Sequence, residues 1–424
     1  MKRLRFILPT LLLTALIATS CADKTVKVYM ANVPVYTETA TWRAQAINFE
    51  APRDLKNPGK IYLYENLLIV NDFLQGVHIF DNTNPAAPAN LGFLPVLANQ
   101  DIAVRNDIMY LDSYTDLVAF DISNPSQPHL VGRVNDVFEF NNHGYLPGYN
   151  SAYPMVEIDP TQGVVTGWTL EKTQDEVLAN RGMLESFAGP MIDGGGLIAT
   201  SNFASGIGMA GSTARFAIVD HILYTIESWQ LGVFDIQEGM VHTKDLALTR
   251  MAETAFPAEG YLYIGTTSGM LIYDVHDPSN PTYVSEYAHF TACDPVVVQG
   301  NRAFVTLSTG RNCGGSVNAL EVINISDMTM PYLEFQFNMT NPKGLGLDGN
   351  TLFLCDGVDG LKVYDKTDLS TIPQHLISQF QGITTADVIP TNQVLVMTAE
   401  EGIYQYSYAD LQHISQLSLI PAHH

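Results

Sequence analysis

Seven charged side chains recur at one place in the chain's repeating pattern: Lys60, Asp101, Arg215, Glu253, Asp294, Lys343 and Asp387 each stand at the entrance to a short apolar run. In a sequence that is only 15% charged, that regularity is unlikely to arise by chance. Gathered at one mouth of a ring of repeats, they would form one of two things. The first is a structural belt, with three cations and four anions pairing across neighbouring units; the second is a binding site for a polar or ionic ligand. Asp101, Arg215, Glu253 and Asp294 supply the residue types of an acid, a base and an anion clamp. Two loops pair carboxylates three or four residues apart, Asp112 with Asp116 and Asp356 with Asp359, and Asn71 and Asp72 hold the same place earlier in the chain. Ca²⁺ is the one cofactor such oxygen ligands suggest. A full calcium loop is missing, and Asp and Gly are also ordinary turn residues, which is the simpler account. No Gly-x-Ser-x-Gly or His-Glu-x-x-His motif is present, so nucleophilic or zinc chemistry has no local signature.

The elements that must position these residues are legible in three near copies: Phe80-Asp-Asn-Thr-Asn-Pro-Ala-Ala-Pro88, Phe120-Asp-Ile-Ser-Asn-Pro-Ser-Gln-Pro128 and Tyr273-Asp-Val-His-Asp-Pro-Ser-Asn-Pro281. A strand ending in a fixed turn and recurring about every 40 residues is the mark of a repeat architecture. Apolar second strands begin at Leu67, Ile108, Ile222, Tyr261, Arg302, Thr351 and Gln393, which gives seven units. The position closing each third strand is Asp81, Asp121, Asp235, Asp274, Asn324, Asp365 and Ser407. Its carboxylate is expected to accept backbone N–H groups of the turn that follows.

Four short strands per unit, punctuated by Gly, Pro, Asn and Asp, predict an all-β fold: a seven-bladed β-propeller of four-stranded blades around a channel. One interval, 114 residues from Asp121 to Asp235, is out of step and places a long insertion, residues 139–212, between blades 2 and 3. The insertion holds a polar, helix-compatible stretch at 170–184 and a Gly-rich run ending Gly206-Ile-Gly-Met-Ala-Gly211. That ending matches a dinucleotide fingerprint by letter, but it leads into a strand-like segment where the fingerprint requires a helix, which argues against nucleotide binding. A loop of this length is expected to act as a lid or docking surface, or to be an unstructured excursion.

At the N-terminus, basic residues Lys2, Arg3 and Arg5 precede the apolar run 6–17 and Ala18-Thr-Ser-Cys21. This predicts a lipoprotein signal over residues 1–20, with Cys21 as the lipidated first residue; an ordinary cleaved signal is the alternative. Residues 21–57 are then a tether or an extra strand, and 58–424 one propeller domain. Without the signal, 18 basic face 44 acidic side chains, a net of −26, so nucleic acid is a poor partner and membrane contact is expected through the anchor only. In an oxidising compartment Cys293 and Cys313 are candidates for a disulfide, leaving Cys355 as a buried thiol.

The aromatic-Asp-Ile-Ser-Asn-Pro-x-x-Pro ending after Leu117-Val-Ala-Phe120 resembles the LVIVD-repeat family of exported bacterial β-propeller proteins. The similarity also takes in Val33-Pro-Val-Tyr36, Cys293-Asp-Pro-Val-Val-Val298 and Cys313-Gly-Gly315, and lies nearest to lipid-anchored members from Bacteroidota. Asn324 and Ser407 depart from the pattern in units five and seven. The resemblance implies a fold and an envelope location at the outer membrane, on its periplasmic or surface face, and no established activity. The expectation is therefore a lipid-anchored propeller that binds or scaffolds an unidentified protein or polar ligand in the cell envelope. A propeller hydrolase or lyase working at the charged mouth is the alternative.

Overall fold

The computed structural model describes residues 24–140, 142–178, 208–212, 214–289, 295–309 and 317–423. Cys21, Cys293, Asp294, Cys313 and most of the Gly-rich run lie outside the described residues.

Seven four-stranded antiparallel sheets follow one another along the chain, each built from four consecutive strands. Blade 1 is Pro58–Tyr64, Leu67–Asp72, Gly76–Asp81 and Ala89–Leu94, and blade 2 is Ile102–Arg105, Ile108–Ser113, Asp116–Asp121 and His129–Val134. Blades 3 to 7 open with Phe216–Val219, Ala252–Ala258, Val296–Gln299, Leu345–Asp348 and Thr385–Thr391. These first strands touch one another around the ring and so line the channel.

Burial follows the radial position of each strand. Leu67–Asp72 and Gly269–Asp274 are buried almost throughout, because a blade packs a neighbour on both faces and leaves no polar side to the middle strands. The outermost strand His129–Val134 is exposed or half-buried. The core consequently lies between blades: one apolar cluster joins blades 1 to 3, another blades 3 and 4, another blades 4 to 6 and another blades 6, 7 and 1. Each fully buried Leu or Ile contributes about 1.5–3 kcal/mol.

The turns explain the repeat. Asp81, Asp121, Asp235, Asp274 and Asp365 each accept the backbone N–H two residues on, from Thr83, Ser123, Gln237, His276 and Thr367, at 2.8–2.9 Å. Asn324 does the same for Ser326 at 3.0 Å, so its departure from Asp leaves the joint intact. At the opposite end of the third strand, Gly76 (φ 132°) and Gly269 (φ 145°) hold a conformation in which a Cβ would strike the carbonyl oxygens of Leu94 and Tyr287 in the fourth strand.

The ring closes without a shared strand. Blades 1 and 7 meet through a reciprocal amide pair, Asn82 with Gln405 at 2.7 and 3.0 Å, and Ser418 Oγ donates to Pro85 O at 2.6 Å. Near the C-terminus the His423 N–H donates to Leu55 O at 2.8 Å.

Residues before blade 1 give no strand to a blade. Instead Lys24–Thr37 pairs antiparallel along its length with Val164–Leu178 of the insertion. The helix-compatible reading of 170–184 is therefore corrected over 170–178, where the chain is a strand. Its backbone groups are met by a partner about 140 residues away in the chain, which local propensity does not register. After this ribbon a short helix, Thr39–Ala44, is capped by Glu38, whose carboxylate accepts the Thr41 N–H at 2.7 Å.

Candidate functional site

First-strand entrances, the hairpins between second and third strands, and the insertion all lie at the same end of the ring, because each second strand ends where its first strand begins. Strand register sets which charges are equivalent. Lys60, Asp101, Arg215 and Asp387 immediately precede Ile61, Ile102, Phe216 and Val388, which pair with Val70, Leu111, Thr225 and Met397 at the same level of the second strand. In blades 4 to 6 that place belongs to Thr254, Pro295 and Gly344. Glu253 and Lys343 stand one residue earlier, Glu253 within a bulge between Ala252 and Thr254. The seven-membered ring read from the sequence is thus an aligned run of four in blades 7, 1, 2 and 3, with alternating sign, flanked by residues offset by one.

The run is connected. Asp101 is buried; its Oδ1 accepts the Ile102 N–H at 2.8 Å and its Oδ2 the Arg215 N–H at 2.7 Å. Arg215 Nε lies 3.9 Å from Asp101 Oδ2, and Nη2 donates to Asp112 Oδ2 at 3.1 Å. Asp112 also accepts the N–H groups of Gln100 and Asp101 and the Asn99 amide at 2.8–2.9 Å. Burial nonetheless raises the pKa of both Asp101 and Asp112, with Lys60 and Arg215 opposing at Asp101 and Arg215 at Asp112. Burial lowers that of Lys60, against which Asp101 and Asp387 pull it back up, with a further contribution from Glu253.

Asp387 is fully buried, and burial drives its pKa well up; the Lys60 charge and the Val388 N–H oppose this. Neither of its carboxylate oxygens has a hydrogen-bond partner of standard geometry. Lys343 lies toward the buried thiol of Cys355 on the blade 6 side, and the Cys355 pKa is pushed well up, chiefly by burial and then by Asp387. Asp294 lies outside the described residues.

Two acids that the sequence did not assign to this network belong to it. Asp112, read there as a calcium candidate, faces Arg215. Glu227, at the end of a second strand, has its pKa pushed up to about 7 by burial, with Arg215 lowering it and Asp112 and Glu139 raising it. The available signal was a carboxylate closing an otherwise apolar buried strand.

The paired loop carboxylates take separate partners. Asp116 is clamped by Arg43 at 2.6 and 2.9 Å and by Arg133 at 2.8 Å. Asp356 and Asp359 share Lys362 at 2.5 and 3.0 Å. Asp72 lies 3.4 Å from His78 Nε2 and 3.7 Å from Arg53. Among the described residues no group of three or more His, Cys, Asp or Glu gathers as a metal cage.

The insertion and the N-terminal segment cover this mouth. Trp42, Phe140, Leu146, Val164, Val165 and Trp168 form a separate small core with Leu74, Ala98 and Tyr114 from the mouth loops of blades 1 and 2. Trp168 Nε1 donates to His143 O at 2.7 Å, and Tyr114 Oη meets His143 Nε2 at 2.9 Å. Residues 208–212 of the insertion lie against the inner strands: Met209 exchanges backbone hydrogen bonds with Leu63 at 2.6 and 2.8 Å, and the Gly208 N–H reaches Val104 O at 3.2 Å. A Cβ at Gly208 would strike Tyr62 and Leu63 O. The described part of the Gly-rich run is thus extended against the inner strands, and a strand, Phe216–Val219, follows it where the fingerprint requires a helix.

Blades and mouth together define a β-propeller whose channel entrance carries an accessory module. The chain carries the LVIVD repeat, matched over residues 98–136 and 258–289, which fall on blades 2 and 4. No curated protein matches it in sequence. In fold it is similar to a protein from Lactobacillus plantarum, with TM-score 0.55 and 12% identity over 86% of this chain and 96% of that one. It is also similar to Sqt1 from Saccharomyces cerevisiae, with TM-score 0.50 and 9% identity over 89% of each chain. At these identities the likeness is one of fold.

Proposed function

We propose that this protein is a lipid-anchored binding or scaffolding module of the cell envelope whose recognition surface is the covered mouth of the propeller. The observation that carries the reading is where the extra polypeptide has gone: two distant parts of the chain build a core of their own on the mouth loops of blades 1 and 2, and among the described residues no blade takes a fifth strand from them. Exposed apolar side chains stand on the same face, Trp229 (58% exposed) and Val358 (66%) in hairpins and Met251 (40%) before blade 4. A large aromatic left in water beside ordered loops is the usual anchor of a protein interface. Anchoring rests on the Cys21 sequence signal.

The experiment places a photo-crosslinking residue at Trp229 or Val358 on the mouth, or at Tyr283 on the outer rim, in cells making the full chain. One discrete adduct from the mouth positions, and none from the rim, is expected. Equal adducts from both, or none from the mouth, overturns the reading. Cys21→Ser should move the protein from the membrane fraction to the soluble one. The hydrolase or lyase alternative is favoured by one observation, the carboxyls of Glu227 and Asp387 raised beside Lys60 and Arg215; it requires turnover that is lost in Glu227→Gln while the fold persists.

A further inference from the structure

The Asp387 carboxylate is the less satisfied of the two aligned acids of the run: apart from the neighbouring Val388 N–H, its oxygens meet no hydrogen-bond donor of standard geometry. Its counterpart in blade 2, Asp101, receives two backbone N–H groups. Asp387 is paired across the strands with Thr398, and residues directly opposite in a sheet project to the same face. Thr398 is also buried, and its hydroxyl too has no hydrogen-bond partner. Three oxygens able to accept are therefore grouped on one face of blade 7, in a place where an unmet acceptor is expensive. Lys60 and Asp101, at the channel entrance of blades 1 and 2, act electrostatically on Asp387.

We propose that Asp387 and Thr398 form a site for a small monovalent cation inside the channel mouth, taking Na⁺, K⁺ or the ammonium group of a small amine. The ligand set limits the valence: Asp387 is the one carboxylate the site supplies, since Asp101 is already held by two backbone N–H groups and faces Arg215. A divalent ion asks for more carboxylate ligands than the described residues bring together. The groups facing Asp387 from neighbouring elements are Lys60 and Asp101 on the inner strands and the Cys355 thiol of blade 6. The site lies beneath the surface proposed for partner binding, so either assignment can fail without the other.

The test uses the full mature chain in tetramethylammonium chloride, a cation too bulky and without N–H groups to enter. NaCl, KCl or methylammonium chloride is then exchanged in at constant ionic strength. At least one of them is expected to raise Tm saturably by about 2–4 °C at a hundredfold excess over Kd. Asp387→Asn should abolish the rise, and Thr398→Val should weaken the midpoint about tenfold. The ranking of the three salts distinguishes a metal ion from an amine. Should Asp387→Asn fail to fold, the ¹³C shift of the Asp387 carboxyl in the wild-type chain must follow the same cation. A Tm that tracks ionic strength alone, a response that survives in Asp387→Asn, or a carboxyl that stays protonated at pH 8 in every salt overturns the proposal.

Discussion

Arg215 is the residue on which the mouth turns. Its backbone N–H and its guanidinium hold two buried acids, Asp101 and Asp112, contributed by blade 2. Arg215→Ala keeps that N–H but withdraws the guanidinium charge from both buried acids, so it is expected to cost about 2–4 kcal/mol in chemical denaturation. Glu253, displaced by a bulge, should cost much less on replacement by Ala; equal losses would restore a symmetric belt. Glu227 gives a pH prediction. Its folded pKa, about 7, exceeds the 4.5 of a glutamate free in water, so the folded state holds the extra proton. Its contribution is fully present below about pH 4.5, declines as the pH rises and is gone above about pH 7. Glu227→Gln should accordingly stabilise the protein at pH 8 by on the order of 2 kcal/mol, and do little at pH 4. Comparing Tm at the two pH values checks it. The charges at the strand entrances were legible from residue type and spacing. Their grouping was not, because a one-residue offset relative to the second strand, as at Glu253 and Lys343, leaves no mark in the sequence.

Among the elements, the ribbon and the module it joins are the least like a propeller. A two-stranded sheet is marginal by itself, so its attachment must come from the small core around Trp42, Tyr114 and Trp168. Trp168→Ala is expected to open the module to limited proteolysis between residues 139 and 170 well before the blades are cut, with the main unfolding transition little changed. Simultaneous loss of both would mean that module and blades fold as one unit. The turns behave differently: Asx joints such as Asp121 with Ser123 are local, and their sequence signature predicted them blade by blade. The strand Val164–Leu178 depended on a partner near the N-terminus, and its polar, alternating composition suits a helix as well as an exposed ribbon.

At the scale of the whole molecule, closure depends on contacts between the first and last blades. The Asn82–Gln405 pair is reciprocal and Gln405 is fully buried. Gln405→Leu removes both bonds and should cost about 1–2 kcal/mol, lowering the denaturant midpoint while the far-ultraviolet circular dichroism stays that of an intact all-β protein. An unchanged midpoint would show that the apolar cluster joining blades 6, 7 and 1 closes the ring by itself.

The sequence by itself determined the number of blades, their strand order, the Asx turn that ends the third strand in six of the seven blades and the types of charge at the mouth. These are local properties: alternation, turn chemistry and repeat length are written within about 40 residues. Tertiary structure alone decided which charges meet, that Asp112 and Glu227 join them, that Asp387 is less satisfied than Asp101, and that described parts of the insertion pack on the mouth loops of blades 1 and 2 and along the inner strands. Each of these depends on strand register or on contacts between residues more than 100 positions apart, where burial and geometry, more than residue type, set the energy.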